Sequence, residues 1–120
     1  MIPLLMVFMH ILDDFCLQGI LASMKQKEWW RKQEGYKEIY KYDYIIALFM
    51  HSFSWTFMIM LPIAISSQWN ITEMFLGVFA ANMIIHAVVD NLKANRKKIN
   101  LAVDQGIHLI QIGVTAIILV

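Results

Sequence analysis

Four apolar runs, each near the ~20 residues that an α-helix needs to cross a bilayer, account for most of this sequence. They cover residues 2–24, 44–66, 72–92 and 101–120. None of the runs alternates with a period of two, and a spanning barrel needs at least ~8 strands, so helices are the only spanning structure that fits this length. The sequence therefore predicts an all-α fold, a four-helix transmembrane bundle formed by a single domain of residues 1–120.

The composition agrees with a membrane protein. Apolar residues make up 59% and charged residues 16% of the chain, whereas charged residues are roughly 25% of an ordinary soluble domain. The net charge of +1 gives no indication of nucleic-acid binding. The single cysteine, Cys16, excludes an internal disulfide and a cysteine-based zinc finger, so any metal would need histidine and carboxylate ligands.

The loops predict one orientation in the membrane. All ten Lys and Arg residues lie in the first and third loops, and the middle loop, 66–70, has none. They are Lys25, Lys27, Arg31, Lys32, Lys37 and Lys41 in the first loop, and Lys93, Arg96, Lys97 and Lys98 in the third. By the positive-inside rule, both basic loops are expected to face the cytoplasm, and both termini are expected outside.

Eight His and Asp residues fall inside these apolar runs. They are His10, Asp13, Asp14, His51, His86, Asp90, Asp104 and His108. No Lys or Arg lies within the same runs. A centrally placed Asp costs ~2.5–3.5 kcal/mol on insertion scales, so we expect a cation to neutralise the four acids.

The spacing of these residues predicts a metal centre. Three helices each carry a His and an Asp four residues apart, which places both on one helical face, and the remaining helix contributes one His. The predicted ligands are His10, Asp14, His51, His86, Asp90, Asp104 and His108. Seven ligands are too many for one tetrahedral ion, so the pattern favours two divalent transition-metal ions, Zn, Mn or Fe, in the cytoplasmic half of the bundle.

Further polar residues follow the same faces. Asp13 is a candidate general base or additional ligand. Gln18, Asn82, Lys93 and Gln105 are candidates for orienting the ligands or binding a substrate. Gly77 and Ala81 form a small-residue pair that is compatible with close helix packing or a homodimer.

Other interpretations of the same residues remain open. One alternative is polar hydrogen bonding between helices through these side chains. Another is a proton or ion pathway built from the same titratable groups. Haem ligation by paired histidines would not require an Asp one turn away. A phage-type membrane permeabiliser would not need convergent ligands.

The order and spacing of these motifs resemble a known family. In this chain the motifs read His10-x-x-Asp13-Asp14-Phe15-x-x-Gln18, then His51, then His86-x-x-x-Asp90 with Lys93, then Asp104-Gln105-x-x-His108. It resembles the small bacterial and phage integral-membrane proteins known as domain of unknown function three-three-zero-seven. The resemblance covers nearly the whole chain and implies a multi-pass protein of the bacterial inner membrane, with Asp13 outside the family pattern and no activity to transfer.

The sequence thus predicts a membrane-embedded metal-dependent hydrolase with a His/Asp centre. A bound metal would ionise a water near neutral pH and polarise the bond to be broken. The expected substrate is a lipid or a phosphorylated small molecule, and the expected partners are membrane lipids. The alternative is a divalent-cation or proton transporter, or a metal-stabilised membrane scaffold without catalysis.

Overall fold

All regular secondary structure in the described residues is helical. The structure, a computed structural model, describes residues 1–35 and 39–120, and no strand occurs in these ranges. The α-helices are α1 (Ile2–Ile11), α2 (Leu21–Met24), α3 (Lys27–Arg31), α4 (Asp43–Ser66), α5 (Glu73–Ala94) and α6 (Leu101–Leu119). The all-α prediction is confirmed for these residues.

Three helices are long and apolar enough to cross a membrane, namely α4, α5 and α6. Their bounds agree with the predicted runs 44–66, 72–92 and 101–120 to within two residues. Thr72 is the N-cap of α5 and Asn100 is the N-cap of α6. Each side chain accepts a hydrogen bond from the backbone N–H of the residue three positions later. Such caps satisfy N–H groups that a helix start leaves unpaired.

The first predicted helix, 2–24, is interrupted. Helix α1 continues into a π-helical segment, Leu12–Leu17, and the chain then turns through Gly19, whose φ is +56°. A positive φ is readily adopted only by residues such as glycine, so the helix ends there and the short α2 follows. The first continuous helical segment is therefore Ile2–Leu17, ~24 Å long at ~1.5 Å per residue.

The four main helical segments pack in a cycle, in which α4 contacts α1 and α5, and α6 contacts α5 and α1. Large apolar side chains cover the outside, for example Phe8, Ile110 and Ile117. The interior differs between the two ends. Away from the two basic loops it is an apolar cluster of Met6, Trp55, Ile59, Met60, Ile63 and Ile112, and next to the loops it is polar.

Candidate metal centre

The polar end of the bundle brings six of the seven predicted ligands together. They form three overlapping groups, Asp14–His51–His86, His86–Asp90–His108 and Asp14–Asp104–His108. In each group one ligand atom per residue lies within 4.8 Å of the others. The residues come from the π-helical segment, the start of α4, the end of α5 and the start of α6, which meet at this end of the bundle.

Asp90 lies at the middle of the polar cluster and is 1% exposed. Its Oδ2 lies 3.4 Å from His51 Nε2 and 3.6 Å from His86 Nε2, and its Oδ1 lies 3.7 Å from His108 Nε2. The predicted i, i+4 pairing of His86 with Asp90 is therefore present, and imidazoles from two other helices approach the same carboxylate.

His86 and His108 stack on each other with their ring centroids 4.1 Å apart. The indole of Trp55 also stacks on His86, with centroids 4.2 Å apart, and its ring lies 5.2 Å from that of His108. Trp55 had not been predicted as a site residue, although it lies four residues after His51 and thus on the same face of α4. The stacked rings hold the imidazole planes in place without using their nitrogens.

Asp14 occupies the side of the site nearest α6. Its Oδ1 lies 3.2 Å from His51 Nε2, and its Oδ2 accepts a hydrogen bond from Gln105 Nε2 at 3.0 Å. Gln18, predicted to support the ligands, donates instead to the backbone carbonyl of Asp14. The π-helical turn carries Asp14, and such turns often occur at functional sites because they change the direction of side chains.

His10 lies beside the three groups and belongs to none of them. Trp55 Nε1–H donates to His10 Nδ1 at 2.8 Å, so His10 Nε2 carries the proton and donates to Gln105 Oε1, also at 2.8 Å. With both ring nitrogens engaged, His10 orients the amide of Gln105. That amide in turn donates to Asp14 and to Asp104 Oδ2.

A second chain of hydrogen bonds orients His108 from the apolar side. Gln111 Nε2 donates to the carbonyl and side-chain oxygens of Asn82 at 3.2 and 3.1 Å, so its Oε1 is the acceptor for His108 Nδ1–H at 3.1 Å. Asn82 Nδ2 donates to Thr115 Oγ1 at 2.7 Å. The chain leaves His108 Nε2 facing Asp104 Oδ1, 3.2 Å away. A hydrogen bond at Nδ1 is what orients an imidazole that binds a metal through Nε2.

Asp13 lies behind His51 and is 1% exposed. Ser54 Oγ donates to its Oδ1 at 2.6 Å, and its Oδ2 lies 3.8 Å from His51 Nδ1. Asp13 is therefore on the opposite side of the imidazole from the three groups. Nothing in the sequence pattern had singled out Ser54.

Two lysines enter the cluster, contrary to the expectation that no basic side chain accompanies the acids. Lys25 Nζ lies 2.7 Å from Asp90 Oδ2, and Lys93 Nζ lies 3.0 Å from Asp104 Oδ2. Both lysines directly follow a predicted apolar run. Their backbone positions lie in the loops, as predicted, but their flexible side chains reach back into the bundle. Four carboxylates thus meet two ammonium groups.

Several buried ligand atoms lack a hydrogen-bond partner within the described ranges. They are Asp13 Oδ2, His51 Nδ1, both ring nitrogens of His86, Asp104 Oδ1 and His108 Nε2. Burying such groups without partners is costly, and a low-dielectric interior increases that cost. Imidazole nitrogens and carboxylate oxygens together suit Zn, Mn or Fe, so a buried cluster of this kind could hold a metal ion.

No family model, curated protein or solved structure matches this chain. The resemblance described from its motifs therefore stays a resemblance, and the chemistry of the site has to be argued from its own atoms.

Proposed function

We propose that this protein is a membrane-embedded, metal-dependent hydrolase whose centre is the His/Asp cluster at the basic-loop end of the bundle. The observation that carries the proposal is the convergence of buried imidazole nitrogens and carboxylate oxygens without hydrogen-bond partners. His108 Nε2 and Asp104 Oδ1 lie 3.2 Å apart, and neither has a hydrogen-bond partner in the described residues. A cation bound to both atoms would turn this contact into coordination.

The contacts at Nδ1 of His108 and His51 support a metal-ligand role for these imidazoles better than a purely structural role. His108 donates Nδ1–H to Gln111, and His51 presents Nδ1 toward the carboxylate of Asp13. A metal-ligating imidazole usually binds through one nitrogen and donates the other N–H to a carbonyl or carboxylate. Two imidazoles of this site have that acceptor in place or nearby.

The proposed reaction is hydrolysis of an ester or phosphoester. The metal would make a bound water ionise near neutral pH and polarise the oxygen of the scissile bond. In the net reaction, the hydroxyl of water would go to the phosphorus or acyl carbon, and its proton would go to the alcohol released when the ester bond breaks. Lys93, with 30% of its side chain exposed, is placed to contact an anionic substrate at the edge of the site. Asp14 is the least buried carboxylate of the metal groups.

The proposal extends to the membrane arrangement. We propose that the segment Ile2–Leu17 is the fourth membrane element beside α4, α5 and α6, and that the two basic loops face the cytoplasm. Single cysteines at Gln68 and Lys97, in a Cys16→Ser background, would be labelled by an impermeant maleimide from outside and from inside respectively. Labelling of both from the same side contradicts this orientation.

Elemental analysis of the detergent-purified protein tests the proposed centre. Wild type is expected to retain a stoichiometric transition metal, and His86→Ala and Asp104→Ala are expected to lose it. Ile63→Ala is the control, because it truncates a buried side chain in the apolar cluster, away from the three ligand groups, and it is expected to retain the metal. Wild type without any bound transition metal would refute the metal centre.

Activity assays then separate hydrolase from the alternatives. The metal-loaded protein is expected to release product from a panel of phospholipids and phosphoesters, and chelation is expected to stop the release. Metal retained without turnover would favour the scaffold. Metal-dependent flux into liposomes would favour the transporter, although the far half of the bundle offers only apolar and neutral polar residues among its described buried side chains.

A further inference from the structure

Lys25 is held inside the cluster by contacts on both sides of its backbone. Trp30 Nε1–H donates to the carbonyl of Met24 at 2.7 Å, and Asn95 Nδ2 donates to the carbonyl of Lys25 at 2.9 Å. Asn95 Oδ1 also accepts the backbone N–H of Lys27. The end of α5 thereby fixes the turn between α2 and α3, and the Lys25 side chain, 5% exposed, points into the bundle.

The ammonium group of Lys25 lies against a carboxylate oxygen that a metal ion at Asp90 could use. It lies 2.7 Å from Asp90 Oδ2, the oxygen that also faces His51 Nε2 at 3.4 Å and His86 Nε2 at 3.6 Å. A cation bound to this oxygen and to either imidazole would come within a few ångströms of Lys25. Two cations so close in a dry interior repel each other strongly.

The charges of the cluster favour one divalent cation in addition to the two lysines. With the imidazoles neutral, as metal ligands are, Asp13, Asp14, Asp90 and Asp104 carry four negative charges when ionised, and Lys25 and Lys93 carry two positive charges. One divalent ion would balance the remainder. Two divalent ions would leave an excess of two positive charges among groups that are nearly all buried, which is unfavourable unless a lysine is displaced or deprotonated.

We infer that the centre holds a single divalent ion and that Lys25 takes the place of a second ion at Asp90. This inference rests on the proposed metal binding and replaces the two-ion prediction made from the number of ligands. It assigns Lys25 as a positioning residue that sets how many ions the site accepts, a role that its place in a basic loop did not indicate.

The test measures manganese bound per chain in the purified protein, by elemental analysis after loading with Mn²⁺ and by titration calorimetry. Wild type is expected to bind one Mn²⁺ per chain. Lys25→Met, which keeps the length of the side chain and removes its charge, is expected to bind two. Its first ion is expected to bind roughly tenfold more tightly or better because a nearby positive charge is gone.

Lys27→Met is the matched control. It removes the same charge two residues away, where the ammonium group lies over the ring of Tyr44 at 5.6 Å from its centroid, and it is expected to bind one ion with wild-type affinity. Two ions in wild type would overturn the inference without any variant. One ion in Lys25→Met at wild-type affinity would also overturn it. Wild type that binds no metal refutes the proposed centre itself, an outcome distinct from either of these.

Discussion

The half of the bundle next to the basic loops buries His, Asp and Lys side chains, whereas the opposite half buries Met, Ile and Trp. Helix α6 shows the contrast within one turn: His108 lies in the polar cluster and Ile112, four residues on, lies in the apolar cluster. Trp55 joins both, since it packs in the apolar cluster and stacks on His86. The apolar cluster holds the helices together with groups that need no partner, and the polar cluster has atoms that still need one.

His108→Ala is expected to have the largest effect on the polar half. It removes a nitrogen that belongs to two of the three ligand groups, so metal affinity should fall by at least ~100-fold, at the upper end of the loss caused by changing even supporting residues. Calorimetric titration with Zn²⁺ or Mn²⁺ measures this. Unchanged affinity would mean that the metal binds elsewhere.

Ile112→Ala makes the matching change in the apolar half. Lipid tails are as apolar as the replaced side chain, so the loss comes from the cavity and the missing packing contacts, about 2 kcal/mol of unfolding free energy. Denaturation in mixed micelles measures it, and the metal content per folded chain is expected to stay at the wild-type value. Loss of metal at unchanged stability would contradict the separation of the two halves. Ile117→Ala, at a position 84% exposed, is the control.

The sequence predicted well the long helices and the polar residues that share a helical face. Helical runs and i, i+4 spacing were sufficient to identify α4, α5 and α6 and six residues that converge, because both signals depend on local geometry. They could not predict that Gly19 ends the first helix or that Asp13 faces the far side of His51. The placement of Asp13 depends on a π-helical turn, which shifts the register that a regular α-helix would give.

The remaining differences depend on side chains that reach across the bundle. Lys25 was predicted only as a loop charge and Lys93 as a candidate for ligand support or substrate binding, and their ion pairs exist because α2 and the end of α5 lie against the site. His10 shares its spacing with the other His/Asp pairs, and only the position of Trp55 and Gln105 shows that its nitrogens are already engaged. Spacing identifies which residues share a face, and tertiary contacts decide which atoms remain available.

Gln111→Leu tests the border between the polar and the apolar half of the bundle. It preserves the size of the side chain and removes the acceptor of the His108 Nδ1–H hydrogen bond. The ring can then adopt the tautomer with its proton on Nε2, which cannot bind a metal through Nε2. Metal affinity is expected to fall roughly tenfold. The substitution also places an apolar side chain beside Asn82, which loses a hydrogen-bond donor, so the unfolding free energy is measured on the same sample. A change in stability alone, with unchanged metal affinity, would make Gln111 a packing residue.

Ser54→Ala is expected to have the smallest effect, because it acts on the metal through two intervening groups. Ser54 Oγ donates to Asp13 Oδ1 at 2.6 Å, and Asp13 Oδ2 faces His51 Nδ1 at 3.8 Å. Losing one hydrogen bond to a buried carboxylate costs about 1–3 kcal/mol, and most of this should appear as lower stability while metal affinity falls only a few-fold. Ser54→Thr keeps the hydroxyl and should restore both properties. A loss of metal affinity as large as that of His108→Ala would instead place Asp13 among the ligands, as one of the alternatives drawn from the sequence had it.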